Sequence, residues 1–331
     1  MSNRSQLLVR LKAGGWVSGQ VLTYQLAVSR TAIWKHICKL REEGYTIEAS
    51  RKKGYRLLKV SDFLIEPEIR EGLKTSVLGQ RGIVCLKETE STNVHAKAMA
   101  VHGTPEGTVI VADSQTQGRG RRGRDWFSPP REGLYLTVIL RPQIRPMEAP
   151  RLTLMTSVAV AEAIESTTAA NCRIKWPNDV LIGGKKVAGI LTEIHSEMDA
   201  VNFIVLGIGI NVNTPRESFP EELRERATSL FIETGRSLSR VTLLQACLER
   251  IEAHYEEFND GRFDDVMARW RERSDIIGRE IEVDMINRRC RGVAVEFDAD
   301  GVLILKDENG NLQRIFSGDV MLPEPGKKGI E

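Results

Sequence analysis

The apolar residues of the first sixty positions recur with helical spacing in three consecutive stretches. Leu7, Leu8 and Leu11 share one face of a predicted helix over Gln6–Ala13, which Gly14 ends. Ser18 is placed to cap a second helix that runs through Leu26. These two stretches predict a pair of short amphipathic helices at the start of the chain.

A third helix is predicted from Arg30 to Glu43, with Ser29 as its cap. Its inward face carries Ile33, Ile37 and Leu40, at helical spacing. Two helices joined by a tight turn, with hydroxyl and basic side chains facing outward on the second, are typical of a helix-turn-helix.

After the third helix the pattern changes to two short strands, Thr46–Ala49 and Tyr55–Leu58, around a basic tip at 50–54. The combination predicts a winged helix-turn-helix over residues 1–62. The alternative is a small protein-interaction domain with a solvated charged face. For the DNA-binding reading, the candidate residues are Ser29, Arg30, Thr31, Trp34, Lys35, Arg51, Lys52 and Lys53.

Beyond a connecting segment at 61–74, apolar strands and amphipathic helices alternate. The predicted strands are Ile83–Leu86, Thr108–Ala112, Leu134–Leu140 and Cys172–Trp176, and the predicted helices are Ser91–Val101 and Leu152–Ile164. This alternation predicts an α/β (α+β) body built on one sheet.

Composition limits the class of protein. A chain of 331 residues with 41% hydrophobic content is expected to form two or three domains. No apolar window approaches membrane-spanning length, and the first residues lack a signal segment. The five cysteines are scattered, without a CxxC pair. We therefore expect a cytoplasmic protein that has reduced thiols and no structural metal, and that does not bind membranes.

The net charge of +2 conceals an asymmetry. Residues 1–60 hold 12 Lys and Arg against 3 Asp and Glu, a net of +9, which leaves 35 against 42, or −7, for the rest. A small basic module joined to a larger acidic body is consistent with nucleic-acid binding by the module.

The strongest chemical signal is the run GRGRRGR at 118–124, where three glycines alternate with four arginines. Backbone N–H groups and guanidinium forks of such a loop can converge on one anion. A dinucleotide fold would need a helix directly behind the glycines, and Pro129 and Pro130 prevent it. A basic run for nucleic acid and a mobile surface loop remain as alternatives. Since like charges repel, we expect the loop to be disordered without ligand.

Three further stretches carry candidate chemistry. Glu90-Ser91-Thr92-Asn93 offers small polar groups at the start of a helix, although a plain N-cap explains them equally well. The stretch KWPND at 175–179 brings a lysine, an amide and a carboxylate to a turn. Within GGKKVAGIL at 183–191, Lys186 enters an apolar strand, which makes it a better candidate than Lys185.

Taken in this order, the four stretches resemble the biotin protein ligases. With a winged helix in front, the chain is similar to the bifunctional type that is also the biotin operon repressor. Short strands over Glu280–Met285, Arg291–Phe297, Gly301–Lys306 and Leu312–Ser317 are similar to the small C-terminal barrel of that family. The implied domains are 1–62 (winged helix), 63–272 (a mixed-sheet ligase domain of the biotin/lipoate ligase type) and 273–323 (an SH3-like β-barrel), with a tail at 324–331.

The resemblance implies formation of biotinyl-5′-AMP from biotin and MgATP, followed by transfer of biotin to a lysine of a biotin carboxyl carrier protein. It implies Lys186 and Arg121 as catalytic residues. The implied biotin contacts are Ser91, Thr92, Asn93, Gln115, Arg119, Gly120, Arg121 and Lys186. The implied ATP or adenylate contacts are Arg119, Arg121, Arg122, Arg124, Trp126, Lys175, Asn178, Asp179 and Asn211.

The resemblance assigns no dedicated metal site to the chain. Mg²⁺ is expected to enter with ATP, with Asn178 and Asp179 as its nearest candidate ligands. The repressor type further implies a homodimer when ligand-loaded, which binds operator DNA. Three rivals stay open at this point: a lipoate-type ligase, a non-catalytic ligand-sensing winged-helix regulator, and a ligase whose basic N-terminus no longer regulates.

Overall fold

A computed structural model describes residues 3–59, 62–197, 200–274, 276–285, 288–298 and 300–321. The chain divides into two compact units, Met1–Glu68 and Ile69–Glu331. The predicted tail at 324–331 lies outside the described residues. Among those residues no helix has the length and apolar character needed to cross a bilayer.

The first unit contains three helices followed by a two-stranded antiparallel sheet, which confirms the predicted winged helix-turn-helix. Ser18 and Ser29 accept hydrogen bonds from the backbone N–H groups of Val21 and Ala32, at 3.1 and 3.2 Å, so both predicted caps form. The elements are α1 (Asn3–Lys12), α2 (Gly19–Leu26), α3 (Arg30–Glu42), β1 (Thr46–Ser50) and β2 (Gly54–Lys59).

Leucine and isoleucine side chains of the three helices form the core of this unit. Leu7, Leu22 and Ile37 have no exposed surface, and Ile33 and Leu40 are 1% exposed. The wing packs closely against the backbone just before α2. A Cβ on Gly54 would lie 2.1 Å from the carbonyl oxygen of Val17. Only glycine therefore fits at the end of the wing turn.

The second unit is built on a seven-stranded sheet with the order β3-β4-β5-β9-β8-β7-β6. β3 and β4 are parallel and the other pairs are antiparallel, so the sheet is mixed, as predicted. The strands are β3 (Ile83–Leu86), β4 (Val109–Ala112), β5 (Gly133–Leu140), β6 (Arg173–Lys175), β7 (Asp179–Ile182), β8 (Lys185–Glu197) and β9 (Ala200–Asn211).

The helices of this unit are α5 (Thr92–Val101), α6 (Ala149–Thr168), α7 (Leu230–Thr234), α8 (Arg240–Asn259) and α9 (Phe263–Arg273), of which α9 precedes the C-terminal sheet. The short helix α4 (Glu66–Arg70) spans the division between the two units. Side chains alternate between the two faces of each strand. Ile139 and Val205 pack with Ala96 of α5 on one face. The intervening Val138 and Leu206 are buried on the other face, where α6 and α8 contact β8 and β5.

The C-terminal part is a five-stranded antiparallel sheet with the order β13-β12-β11-β10-β14. Its strands are β10 (Glu280–Asp284), β11 (Arg289–Phe297), β12 (Leu303–Lys306), β13 (Leu312–Ile315) and β14 (Asp319–Met321). The sequence predicts the first four with ends shifted by up to two residues. It misses β14, because three residues carry too little alternation to be recognised.

The core of the first unit gives a stability prediction. Ile37→Ala removes a fully buried side chain from α3, so we expect the unfolding free energy of that unit to fall by about 2–5 kcal/mol. Calorimetry on the full chain measures the shift, and Lys35→Ala, at an exposed position of the same helix, is the control. Equal shifts for the two variants would contradict the packing.

Candidate active site

A cleft opens on the α5 face of the seven-stranded sheet, above β8 and β9. It holds about 440 Å³ of space, including its solvent-filled mouth. Ten predicted residues line it: Ser91, Thr92, Asn93, Gln115, Arg119, Gly120, Arg121, Trp126, Asn178 and Lys186. The four separately predicted stretches therefore meet at one place.

The floor of the cleft consists of strand residues that were not predicted: Gly189, Ile190, Leu191, Gly207, Ile208 and Gly209. Gly189 and Gly209 are direct cross-strand partners. A Cβ on Gly209 would lie 2.5 Å from indole atoms of Trp126, and one on Gly189 would lie 3.0 Å from that ring. The indole thus lies flat against bare backbone.

Gly207 has the same function two residues earlier, where a Cβ would come within 2.1 Å of the Asn93 side-chain oxygen. All three glycines therefore leave room for side chains that cross the strands. The signal was present in the sequence, because Gly-Ile-Gly inside a strand pattern marks a close approach to the backbone.

Small polar residues form one end of the cleft, where α5 begins. Ser91 is the N-cap of α5 and is 2% exposed, yet its side chain makes no capping hydrogen bond. Instead, Gln115 Oε1 accepts hydrogen bonds from Thr92, from the backbone N–H at 2.9 Å and from the hydroxyl at 3.2 Å. Gln115 Nε2 donates to Ser128 at 2.9 Å. The simple N-cap interpretation of Ser91 is therefore incomplete.

Asn93 lies deeper, at 3% exposure, and its amide is engaged by the sheet. Its Nδ2 donates to Glu193 at 2.8 Å and to the carbonyl oxygen of Leu191 at 3.2 Å. Its Oδ1 accepts from the Thr137 hydroxyl at 2.7 Å. Asn93 and Gln115 are thus fixed by other protein groups, which gives the polar end a defined shape.

The GRGRRGR run folds back on itself. The N–H of Gly120 donates to the carbonyl oxygen of Arg124 at 2.7 Å, and the N–H of Trp126 donates to that of Gly118 at 2.8 Å. Arg122 lies at the turn with a φ of 58°, a left-handed conformation. Because of this turn, successive arginine side chains leave the loop in different directions.

Arg121 extends along the cleft. Its Nη1 donates to Asn178 Oδ1 at 3.0 Å and its Nη2 donates to the Ser317 hydroxyl at 2.7 Å. Burial lowers the pKa of Arg121, and the charges of Asp319 and Asp179 oppose that shift. Arg119 lies nearer the surface, where it pairs with Glu90 at 2.8 Å.

Arg122 and Arg124 do not line the cleft. Both contact Asp319 in β14, Arg122 at 3.1 Å, and Arg122 also contacts Asp284 at 3.6 Å. Their predicted contact with ATP stays a prediction. Disorder of the ligand-free loop also stays a prediction. It rests on repulsion between the arginines, and the carboxylates of Asp284 and Asp319 remove part of that repulsion.

Lys186 enters the cleft from β8. Its Nζ lies 2.7 Å from Asp179 Oδ1 and 5.1 Å from the centre of the Trp126 ring. The register between β7 and β8 shifts between Val180 and Leu181. Leu181 is the residue paired with Lys186, so the irregularity lies next to Lys186. The neighbouring Lys185 lies outside the cleft lining, at 3.9 Å from Glu225.

Asn178 lines the cleft, whereas Lys175, Asp179 and Asn211 lie outside its lining. Asn178 is 9% exposed, and its Nδ2 donates to the carbonyl oxygen of Ile190 at 3.0 Å. Lys175 in β6 faces Asp179 across the strand pair and does not line the cleft. Asn211 ends β9 and donates to the carbonyl oxygen of Thr228 at 2.9 Å. The described residues contain no group of three or more His, Cys, Asp and Glu placed to hold a metal ion.

In the first unit, all eight predicted DNA-binding residues are exposed. Trp34 of α3 is 56% exposed, whereas Ile33 and Ile37 of the same helix are buried. Arg51, Lys52 and Lys53 form the tip of the wing. The unit therefore presents a basic helix and a basic wing to solvent.

Three family descriptions match the chain. The biotin/lipoate A/B protein ligase family matches residues 84–211, a helix-turn-helix domain matches 3–56, and the biotin protein ligase C-terminal domain matches 276–322. Together they follow the predicted order of the three parts.

Relatives extend the match to nearly the whole chain. The bifunctional ligase/repressor BirA of Bacillus spizizenii is 42% identical over 307 residues, which cover 93% of this chain and 94% of the relative. Its Escherichia coli namesake is 30% identical over 320 residues, 96% of both chains. Among solved structures, the biotin protein ligase from Aquifex aeolicus in complex with biotin and ATP is 32% identical, with a TM-score of 0.62 over 72% of this chain and 97% of that chain. The chain therefore belongs to the biotin protein ligase family, in its bifunctional ligase/repressor branch.

Proposed function

We propose that the chain joins biotin to ATP as biotinyl-5′-AMP, transfers the biotinyl group to a lysine of a biotin carboxyl carrier protein, and represses transcription when biotin is abundant. Residues 1–62 bind operator DNA, residues 63–272 perform the chemistry, and residues 273–323 form the small C-terminal barrel. The protein works in the cytoplasm.

One observation carries the proposal: four separate parts of the chain line the same cleft. They are the loop at 118–124 (the Arg/Gly loop), Lys186, Asn178 and the polar start of α5. Arg121 and Lys186 supply positive charge at one end, and Ser91 and Thr92 supply hydroxyl groups at the other. Trp126 and the glycine floor lie between them. A ligand with a neutral polar head, an apolar body and a terminal carboxylate suits this order of groups.

In the first step a biotin carboxylate oxygen attacks the α-phosphorus of ATP, and pyrophosphate leaves. Two anions must approach each other, so the reaction needs cations at the point of attack. Lys186 contacts the carboxylate and the α-phosphate, and Arg121, with Arg119 and Gly120 beside it, holds the adenylate. The folded loop and Trp126 exclude water from the mixed anhydride.

The ureido ring of biotin binds at the start of α5. Ser91, Thr92, Asn93 and Gln115 hydrogen-bond the ring or its surroundings, and Gln115 also holds Thr92 in place at the helix start. A site built from such groups rejects analogues that cannot form the same hydrogen bonds. This property distinguishes biotin from lipoate, whose dithiolane ring offers no N–H groups.

ATP lies beside Trp126, with its phosphates toward the KWPND turn. Lys175 adds positive charge there and Asn211 borders the nucleotide, whereas Arg122 and Arg124, which pair with Asp319, contribute through the loop that carries Arg121. Asp179 and Asn178 would hold the Mg²⁺ that accompanies the triphosphate, because Mg²⁺ is commonly held by one or two carboxylates and by phosphate oxygens. The metal would neutralise phosphate charge there, beside the ion pair of Asp179 with Lys186.

In the second step the ε-amine of a carrier lysine attacks the carbonyl carbon of the anhydride, and AMP leaves. When no carrier is present, the adenylate-loaded protein forms a homodimer. Two basic helices and wings then lie at a fixed spacing on two-fold operator DNA.

Two rival functions make different predictions. A lipoate-type ligase activates lipoate and does not activate biotin. A non-catalytic sensor binds biotin without turnover, yet the cleft holds both Arg121 and Lys186, more positive charge than the single carboxylate of biotin requires. Measuring turnover with biotin and with lipoate distinguishes the biotin ligase, the lipoate-type ligase and the non-catalytic sensor.

We expect Lys186→Ala to lower biotin-dependent exchange of pyrophosphate into ATP by about 100-fold or more, because a cation at the reacting carboxylate is lost. Lys185→Ala is the matched control, since its side chain lies outside the cleft lining, and it should retain activity. Equal activity of the two variants would remove Lys186 from the mechanism. Absence of exchange in the folded wild type would refute the ligase assignment itself.

Operator binding gives a second prediction. We expect the wild type with biotin and ATP to enrich specific sequences from a random pool of duplex DNA. Lys52→Ala should weaken binding to all of them and reduce the slope of log affinity against log salt by about one, because one phosphate contact is lost.

Thr31→Ala should instead change which sequence is selected, since Thr31 lies on the exposed face of α3. Lys39→Ala, at the far end of the same helix, is the control. A pool that shows no enrichment, or a salt slope unchanged in Lys52→Ala, would contradict DNA binding through this surface.

A further inference from the structure

The Arg/Gly loop is contacted by residues of the C-terminal sheet. Arg122 and Arg124 both donate to the carboxylate of Asp319, and Arg122 also donates to the carbonyl oxygen of Asp284 at 3.1 Å. Arg121, the residue before Arg122 in the loop, donates to the hydroxyl of Ser317, which lies two positions before Asp319. Three of the four arginines therefore contact the edge that contains β14.

The arrangement of acids at this edge needs a cation. Asp319 and Asp284 are direct partners in the pairing of β14 with β10. Like charges directly opposite each other on neighbouring strands are destabilising. Arg122 Nη1 lies 3.1 Å from one carboxylate and 3.6 Å from the other, so it bridges the pair.

Asp319 is held as a charged group in a partly covered position. Its side chain is 23% exposed. Burial raises the pKa of Asp319, but the hydrogen bond and charge of Arg124, together with those of Arg122, outweigh burial and leave the pKa below its usual range. The carboxylate therefore stays ionised at neutral pH and continues to neutralise the loop.

The C-terminal sheet is itself packed on the rest of the second unit. A Cβ on Gly301, in the turn before β12, would lie 2.2 Å from a methyl group of the Leu154 side chain in α6, so this turn packs closely on that side chain. Trp270 of α9 and Phe297 of β11 meet edge to face at 4.4 Å. The C-terminal sheet, to which Asp319 belongs, therefore has packing contacts with α6 and α9 that do not involve the loop.

We propose that Asp319 is a positioning residue for the reaction: by holding Arg122 and Arg124 it fixes the loop turn that directs Arg121 into the cleft. The proposal rests on the proposed ligase function for its kinetic consequence. It also changes the expected role of Arg122 and Arg124, which anchor the loop through a carboxylate of the protein before ATP arrives.

The first test needs no ligand. Trypsin cleaves after arginine, so cleavage within 118–124 reports how often the loop opens, and mass spectrometry identifies the new chain ends. We expect Asp319→Asn to raise the rate of cleavage there about tenfold, and Asp319→Glu to restore a rate near that of the wild type. Glu308→Gln, at an exposed turn of the same C-terminal sheet, is the control.

The second test is kinetic. An unanchored loop must be ordered when ligand binds, so the KM for ATP should rise about tenfold in Asp319→Asn while kcat falls less than about threefold. Arg124→Gln removes the other partner and should reproduce both effects. The double variant should then be no worse than either single variant.

Unchanged loop cleavage in folded Asp319→Asn would overturn the proposal, and so would a fall in kcat at constant KM. If Arg124→Gln raises the KM for ATP without opening the loop, Arg124 contacts ATP directly and the anchoring role is wrong. If Asp319→Asn does not fold, Arg124→Gln alone decides between these outcomes. If the wild type shows no biotin-dependent exchange of pyrophosphate into ATP, the ligase function is refuted. The cleavage test would still decide whether Asp319 holds the loop.

Discussion

The active-site region depends on holding four guanidinium groups and one ammonium group close together. Two like charges 4 Å apart repel by about 4 kcal/mol at an effective dielectric constant of 20, so such a cluster opens unless anions balance it. The chain supplies carboxylates for four of these five cations. Glu90 pairs with Arg119, Asp179 pairs with Lys186, and Asp319 pairs with Arg122 and Arg124. Arg121 alone reaches the cleft with neutral partners, and it is therefore the guanidinium most ready to accept a new anion.

The position of the cleft follows from the sheet. Trp126 and Asn93 can cross β8 and β9 because Gly189, Gly207 and Gly209 carry no side chains. Elsewhere the same face is filled by apolar side chains, such as Ile139 and Val205 against α5. The glycines thus convert one stretch of a continuous apolar face into a slot. The charged loop lies over that slot, so recognition of an apolar body and of an anion occurs at neighbouring points.

Much of this arrangement could be predicted because it is local in sequence. The helix caps at Ser18 and Ser29, and the apolar faces of α1 and α3, depend on residues within two turns of one another. The predicted polar stretches reached the cleft because each lies in a loop, at a helix start or at the beginning of a strand, as Lys186 does in β8. The roles of Gly207 and Gly209 were missed, since they follow from contacts with Trp126 and Asn93, which are distant in sequence. Asp319 was missed for the same reason, because it meets the loop across some two hundred residues of chain. Lys175 and Asn211 carry suitable chemistry, yet strand direction sets them outside the cleft lining, which sequence spacing alone does not reveal.

The most direct test of the central claim is to identify what the cleft makes and retains. The full chain is incubated with MgATP and either biotin or lipoate, separated from free ligand, and examined by native mass spectrometry. Retention of biotinyl-5′-AMP, formed only when biotin and ATP are both present, is the result predicted here. A protein that retains lipoyl-AMP, or that binds biotin without forming an adenylate, would contradict the account.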